Sequence, residues 1–140
     1  MPRYETISDL KNEQSVIEHL SETRDYTFRK LPTRYVLDYA VIKNGDVIGF
    51  AEIKCRTCAS TDYDTMMVSL SKVLAAHQLS QVTGLPSYLI VRWTDKIGSI
   101  NFKADHAIRA GGRTDRGDAQ DIDVCAYYPI TVFTQVNTSC

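Results

Sequence analysis

The sequence lacks any uninterrupted apolar run of the roughly 18 to 20 residues that a membrane-spanning helix requires. Its first ten residues, MPRYETISDL, contain no apolar segment of the kind found in secretory signal peptides. From these two absences we expect no membrane association and a location inside the cell, in the cytoplasm.

Cysteine is scarce and unevenly spaced. The four residues Cys55, Cys58, Cys125 and Cys140 do not resemble the dense cysteine pattern of a small secreted domain, so we expect them to be reduced. Cys55 and Cys58 have the CxxC spacing of zinc and dithiol sites, but no second pair follows at zinc-site spacing. A zinc or thiol-redox function is therefore kept as a third alternative, which metal analysis and a free-thiol assay would test.

The sequence also has no excess of positive charge. Sixteen Lys and Arg residues oppose seventeen Asp and Glu residues, which gives a net charge of −1. Proteins that coat nucleic acid without sequence preference are usually basic, so any DNA contact here has to depend on a local basic patch. The 140 residues are enough for one well-buried core, and we expect a single domain over residues 1–140.

The hydrophobic pattern predicts helices and strands in a mixed order. A helix over 6–24 precedes a short strand in 26–32 and two strands within 35–56. A second helix over 64–86 is followed by a buried strand at 87–93, a return strand at 99–104, a polar loop at 110–121 and a last strand at 126–133. Pro129 favours an edge position for that last strand. The order predicts an α/β (α+β) fold, with helices flanking a mixed central β-sheet.

Charged residues interrupt the two strands within 35–56. Asp38 lies in the first strand, and Glu52 and Lys54 lie in the second, where side chains two apart share a face. A two-residue turn would place Asp38 opposite Ala51, on the wrong face from Glu52. A three-residue loop, residues 43–45, would place Asp38 opposite Phe50 and diagonal to Glu52. We expect the three-residue loop, because it brings both carboxylates to one cation.

The first helix carries a further carboxylate on its apolar side. At about 100° per residue, Leu10, Val16, Ile17 and Leu20 form one stripe, and Glu13 projects near its middle. A buried carboxylate is costly unless it is paired, protonated or bound to a metal. Three acids and a lysine therefore occupy positions where a core favours apolar residues.

Carboxylate oxygens in such an arrangement suit Mg²⁺ or Mn²⁺, which retain several of their waters. A hydrated ion of this kind, with a lysine beside it, is suited to phosphodiester hydrolysis. The pattern predicts a hydrolytic metal site. Asp38→Asn or Glu52→Gln is expected to abolish cleavage. Either variant is also expected to keep or raise stability, because neighbouring like charges repel each other.

Asp38, followed after thirteen residues by Glu52, Ile53 and Lys54, resembles the PD-(D/E)XK nuclease superfamily. The preceding segment NEQSVIEHL resembles the first helix of its small members, such as archaeal Holliday-junction resolvases and phage-encoded endonucleases. The resemblance covers about residues 8–95 in the order αβββαβ, with additional strands after it. It implies a restriction-endonuclease-like core and an enzyme that cuts DNA.

By the same resemblance, Asp38, Glu52 and the Ile53 main-chain carbonyl are metal ligands, Lys54 is the catalytic lysine, and Glu13 completes the site. The superfamily often has proline before the aspartate, whereas Leu37 stands there in this chain. A phage-encoded member would act in the cytoplasm of its host.

Basic and polar residues near the motif are candidates for DNA contact. Arg29, Lys30 and Arg34 precede the Asp38 strand, and Arg56 follows Lys54. Lys72 and Gln78 interrupt the second predicted helix, from which the superfamily often lends a residue to the site, although a solvated helix edge explains them equally well.

Two functions remain open at this point. The leading one is a metal-dependent DNA endonuclease, for which cutting both strands symmetrically would need a homodimer. The segment 125–133 offers apolar residues for a dimer surface, and a core strand explains them equally well. The alternative is a catalytically inactive module on the same fold that binds nucleic acid or protein.

Overall fold

A computed structural model describes residues 7–24, 26–112 and 122–136 of the chain. In this part of the chain lie two α-helices and nine β-strands. In chain order they are α1 (Ile7–Arg24), β1 (Thr27–Lys30), β2 (Tyr39–Lys43), β3 (Asp46–Cys55), β4 (Thr65–Ser69), α2 (Leu70–Thr83), β5 (Ser87–Arg92), β6 (Ile97–Asn101), β7 (Ala107–Gly112), β8 (Ile122–Pro129) and β9 (Thr134–Gln135).

The main sheet has six strands in the order β1-β2-β3-β5-β6-β9. Strands β3 and β5 are parallel, and the other neighbours are antiparallel. A parallel pair needs a long crossover, and α2 lies within the crossover between β3 and β5. The predicted mixed α+β architecture, with helices and a mixed central sheet, is therefore confirmed. No helix among the described residues combines the length and the apolar character needed to cross a membrane.

The turn between β2 and β3 differs from the expected three-residue loop. Lys43 pairs with Asp46, so Asn44 and Gly45 alone make the turn. Both have positive φ, 53° and 83°, as a two-residue type I′ turn requires. The three-residue prediction was wrong because the Asn-Gly pair satisfies this turn by itself.

A β-bulge then restores the register that places Asp38 and Glu52 on the same face. Ile42 pairs with Val47 but Val41 pairs with Gly49, so one extra residue enters β3 at this point. The shifted register continues to the pair Tyr39 and Ala51. Asp38, the residue before Tyr39, therefore comes level with Glu52. The bulge thus brings Asp38 and Glu52 together, which the two-residue turn alone would have prevented.

A second sheet of three strands, in the order β4-β8-β7, corrects two further predictions. Residues 65–69 were expected to be helical, but they form β4, in which Met66 and Val68 are buried and Met67 is exposed. The order is therefore αββββαβ before the later strands. Strand β8 is central and not an edge, because Pro129 is only its last residue. The predicted polar loop at 110–121 begins within β7, and its residues 113–121 lie outside the described part.

Two hydrophobic clusters cover opposite faces of the main sheet. The first contains Phe50 of β3 and Val73 of α2, together with residues of the second sheet. The second contains Ile17 of α1 and both Ala51 and Ile53 of β3. Beyond the bulge, from Phe50 to Lys54, even-numbered residues of β3 therefore face α2 and odd-numbered residues face α1, as the alternation of side chains requires. This division decides which helix each charged residue of β3 meets.

Candidate active site

Asp38 lies immediately before β2 and is 6% exposed. The Ile53 backbone N–H donates to Asp38 Oδ2 at 3.3 Å, and the Asp38 carbonyl oxygen accepts from Leu31 N at 2.8 Å. Within a strand, the N–H and C=O of one residue point to the same side. The Ile53 carbonyl is therefore directed towards the same end of β2 as the Asp38 carboxylate.

Glu52 is completely buried, on the face of β3 that meets α2. Lys72 of α2 contacts Glu52 Oε1 at 3.1 Å, and Lys54 contacts Oε2 at 3.3 Å. The Lys54 side chain is a quarter exposed, whereas Lys72 is buried. Two ammonium groups compensate this carboxylate, as a charge removed from water requires.

The second partner of Lys72 is a backbone group in an unusual conformation. Lys72 Nζ also donates to the Val36 carbonyl oxygen. Val36 has φ 69°, in the left-handed region that a β-branched residue rarely occupies. Such a conformation costs of the order of 1–3 kcal/mol and persists only when its surroundings hold it. The contact with Lys72 is one such restraint, and it ties the segment before Asp38 to α2.

Glu13 reaches the site from α1, on the other face of the sheet, and is 7% exposed. The Tyr39 hydroxyl donates to Glu13 Oε1 at 3.1 Å, and Lys30 Nζ lies 3.5 Å from the same oxygen. Lys30 Nζ also lies 3.5 Å from Asp38 Oδ1 and 4.9 Å from the centre of the Tyr39 ring. One ammonium group therefore joins the two carboxylates, Glu13 and Asp38.

The structure thus assembles most of the residues singled out in the sequence. Asp38, Glu52 and Lys54 meet at one end of β2 and β3, with the Ile53 carbonyl directed to the same place. Glu13 joins them through Lys30, from the opposite face of the sheet. Whether these residues act in catalysis or metal binding stays a prediction.

The candidate DNA-contacting residues separate into two groups. Lys30 and Lys72 contact the carboxylates directly. Arg29 and Arg34 are exposed, and Gln78 is exposed beside Arg34 on the α2 side. None of these three has a hydrogen bond or ion pair to the carboxylates among the described residues.

Arg56 lies apart from the carboxylates. Its Nη2 donates to the Met67 carbonyl oxygen at 3.4 Å. Burial lowers the pKa of the Arg56 guanidinium, and the neighbouring thiols of Cys58 and Cys55 act in the opposite direction. Arg56 lines a separate cleft, which lies beyond the end of β3.

Tyr39 is a site residue that the sequence reasoning missed. It lies in β2, on the face that meets α1, and its hydroxyl holds Glu13. The available signal was the alternation of β2, because Tyr39 directly follows Asp38 and must face the opposite side. Lys72 was named only as a candidate, because helical periodicity does not reveal which strand residue a long side chain reaches.

The donor set fits a hard divalent cation. In the part of the chain that the structure describes, no three His, Cys, Asp or Glu residues group closely enough to hold a metal by themselves. Mg²⁺ is commonly held by one or two carboxylates together with waters and substrate phosphates, so a larger cluster is not required. Asp38, Glu52 and the Ile53 carbonyl provide oxygen donors of this kind.

Comparisons with known proteins bear on the family and the fold of the chain. A family model described as "Phage putative PDDEXK endonuclease" matches residues 1–136. Among solved structures, the chain is similar to Hjc, a Holliday junction resolvase from the archaeal hyperthermophile Archaeoglobus fulgidus, with a TM-score of 0.62 and 9% sequence identity. That match covers 91% of this chain and 90% of the resolvase. No curated protein sequence matches.

Proposed function

Because this chain belongs to the phage PDDEXK endonuclease family, we propose that it is a metal-dependent DNA endonuclease that hydrolyses phosphodiester bonds in double-stranded or branched DNA. The observation that carries the proposal is the meeting of Asp38, Glu52 and Lys54 at one end of β2 and β3. A fully buried glutamate is costly for a fold, so its presence beside a lysine supports a chemical role.

In this proposal Asp38, Glu52 and the Ile53 carbonyl hold Mg²⁺ or Mn²⁺, and Glu13 completes the ligand set. When bound, such an ion lowers the pKa of a coordinated water and neutralises charge on the phosphate. Lys30 and Lys72 keep the carboxylates oriented before the ion arrives, since each contacts a carboxylate from a different direction.

Lys54 is the residue that we assign to the reacting groups. Its ammonium contacts Glu52, yet a quarter of its side chain is exposed to solvent, where a DNA strand would approach. From this position Lys54 orients the attacking water or stabilises the negative charge that develops on the phosphate. The exposed residues Arg29 and Arg34 would bind neighbouring phosphates and so position the strand.

One site in one chain cuts one strand, so we propose that a symmetric cut in both strands uses a homodimer. Membership of a phage family supports a reaction in the cytoplasm of an infected host cell.

A second function has one observation in its favour. Each of the three carboxylates contacts a lysine, an arrangement that a non-catalytic DNA- or protein-binding module would also tolerate.

A cleavage assay distinguishes these two functions. Linear, supercoiled, single-stranded, forked and four-way-junction DNA would be incubated at moderate salt with Mg²⁺, Mn²⁺ or EDTA. We expect metal-dependent cutting that falls by about 10²–10³-fold in Lys54→Ala, as when one group that stabilises the transition state is removed. Lys103→Ala, which changes an exposed lysine on a loop after β6, is the matched control and should cut at the wild-type rate.

Metal binding is measured separately by titration calorimetry. Asp38→Asn and Glu52→Gln should lose Mg²⁺ binding together with cleavage, whereas Lys54→Ala should retain Mg²⁺ binding. Wild-type protein that binds DNA but neither binds Mg²⁺ nor cuts any substrate would refute the nuclease and support the binding module.

A further inference from the structure

A cleft with open volume of about 640 Å³ lies beyond the end of β3, between the loop that follows it and the second sheet. This volume is in the range of small-molecule and cofactor sites. We call it the tyrosine–arginine cleft, after four of the residues that line it: Arg56, Tyr63, Arg109 and Tyr127. Its position relative to Lys54 follows from the strand. The β3 ladder continues to Arg56, whose N–H bonds to the Arg92 carbonyl at 2.8 Å.

The cleft is therefore next to the candidate active site. Lys54 and Arg56 are two residues apart on an extended segment, so their side chains leave the same face about 6.5–7 Å from each other. Glu52, Lys54 and Arg56 form one row along this face. A DNA strand whose phosphate reaches Lys54 meets the cleft at the next position along that row.

Two aromatic rings give the cleft flat surfaces. Tyr63 is 67% exposed, so most of its side chain is open to solvent at the cleft. The Arg109 guanidinium lies 5.3 Å from the centre of the Tyr127 ring, within cation–π distance. The Tyr127 hydroxyl donates to Met67 Sδ at 3.4 Å. One ring is thus open to a ligand, and the other is held in place.

The loop that carries Tyr63 is anchored to the rest of the protein. Ser60 donates from its backbone N–H and its hydroxyl to the two Asp95 carboxylate oxygens, at 2.8 and 2.6 Å. The Thr94 N–H donates to the Cys58 carbonyl oxygen at 3.1 Å. These bonds fix the loop against the turn between β5 and β6, so little conformational entropy would be lost when a ligand stacks on Tyr63.

The charge of the cleft favours an anion. Among the described residues that line it, Arg56 and Arg109 are cationic and Asp64 is anionic. Aromatic side chains combined with cations are the elements by which proteins bind unpaired nucleotides, whose bases stack while their phosphates meet Arg or Lys. A paired base presents only its edge in a groove and cannot lie flat against Tyr63.

We propose that the tyrosine–arginine cleft binds an unpaired nucleotide of the DNA strand next to the bond that is cut, with the base on Tyr63 and a phosphate on Arg56 and Arg109. This inference rests on the proposed nuclease function and adds a preference for DNA with a single-stranded segment beside a duplex. Such a preference suits forks, overhangs and branch points.

The test measures dissociation constants in EDTA, so that no cleavage takes place. Two fluorescent DNAs are compared by anisotropy at one salt concentration: a blunt duplex, and the same duplex with a single-stranded overhang. A stacking contact to one base corresponds to about a 5- to 150-fold change in affinity. We expect Tyr63→Ala to weaken overhang binding within this range and to leave blunt-duplex binding within twofold. Tyr63→Phe keeps the ring and should bind the overhang as the wild type does.

Matched variants control for general effects on the surface. Tyr88→Ala removes an exposed tyrosine of β5 that lines a pocket on the α1 side, and it should not change overhang binding. Arg109→Gln should weaken overhang binding more than Arg92→Gln, which removes an exposed arginine that contacts Ser15 of α1. A direct readout is photocrosslinking of 5-iodo-deoxyuridine in the overhang, which should map to Tyr63 or Tyr127.

The outcomes separate the two proposals. If the wild type cuts duplex DNA but Tyr63→Ala and Tyr88→Ala bind the overhang equally well, the cleft inference is wrong and the nuclease stands. If overhang binding depends on Tyr63 but no metal supports cutting, the cleft inference holds and the nuclease falls. If the wild type binds neither DNA, both are refuted.

Discussion

Replacing Lys72 by methionine tests the arrangement of charges around Glu52. Removing one partner of a buried ion pair usually costs roughly 3–5 kcal/mol, because the other charge is left without compensation. Here Lys54 still contacts Glu52 Oε2 at 3.3 Å, and the Lys54 side chain is partly exposed, so water can help to stabilise the remaining ion pair. We therefore expect Lys72→Met to lose about 2–3 kcal/mol of unfolding free energy at neutral pH. For a chain of 140 residues, that loss lowers Tm by about 7 to 10 °C.

The assay is thermal unfolding followed by circular dichroism, in EDTA and in excess Mg²⁺. Lys103→Met, at an exposed position, is the control and should stay within about 0.5 kcal/mol of the wild type. The double variant Lys72→Met with Glu52→Gln should recover part of the loss, since it also removes the fully buried Glu52 charge, and the remaining Lys54 ammonium is partly exposed to water. For Glu52→Gln alone, the two contacts with lysine replace the expectation of kept or raised stability. With two lysines as partners, Glu52 is stabilised where it lies, and its removal should lower stability.

Mg²⁺ provides a second check on the same variant. Lys72→Met removes the contact that keeps Glu52 oriented, so we expect weaker Mg²⁺ binding and a smaller rise in Tm on adding the ion. At a free Mg²⁺ concentration of 100 times Kd, an ion that binds only the folded state adds about 2.7 kcal/mol to the free energy of unfolding. Lys72→Met melting within 1 °C of the wild type in EDTA would refute the stabilising role of the Lys72–Glu52 contact.

Three further predictions concern the surroundings of the site. Gly49→Ala should lose about 1–3 kcal/mol of unfolding free energy, because the added Cβ would stand 2.9 Å from the Pro86 carbonyl oxygen. Chemical denaturation measures this loss. Tyr39→Phe removes the hydroxyl bond to Glu13 and should cost about 0.5–1.5 kcal/mol in the same assay. The hydrogen bonds from Ser60 hold the pKa of Asp95 below its usual range. The stability that they supply is therefore present above about pH 4 and lost at lower pH. The Tm difference between wild type and Ser60→Ala should narrow on acidification.

Each of these has an outcome that would contradict it. The control for Gly49→Ala is Asn44→Gly in the same hairpin, which keeps a residue that accepts positive φ and should hardly change the free energy of unfolding. A similar loss of unfolding free energy in Gly49→Ala and Asn44→Gly would contradict the steric explanation for Gly49. Unchanged stability of Tyr39→Phe would mean that the hydroxyl makes no net contribution. A Tm difference for Ser60→Ala that is constant from pH 7 to pH 2 would exclude Asp95 as the titrating partner.

Much of the candidate site could be predicted because its signals are local. Alternation along β3 places Glu52 and Lys54 on one face, whichever strand pairs beside them. Helical periodicity likewise places Glu13 on the side of α1 that carries Val16 and Ile17, and Glu13 is buried there. These statements depend only on the geometry of one strand or one helix, so the sequence alone determines them.

The tertiary structure decided the features that depend on distant parts of the chain. Residues 65–69 are compatible with a helix or a strand, and they become β4 because they pair with β8, about sixty residues later. The bulge in β3 is held where the Gly49 backbone approaches the Pro86 carbonyl closely, a contact that no local pattern contains. Strand register, and with it the distance from Asp38 to Glu52, therefore depended on packing.

The lysines illustrate the same division. The sequence alone predicted acids in buried positions, and such acids require compensation. It did not determine that Lys72 would reach Glu52 from α2, or that Lys30 would join Glu13 to Asp38 from β1. A long flexible side chain can meet any charge within its reach, and only the packing of the helices against the sheet selects the partner.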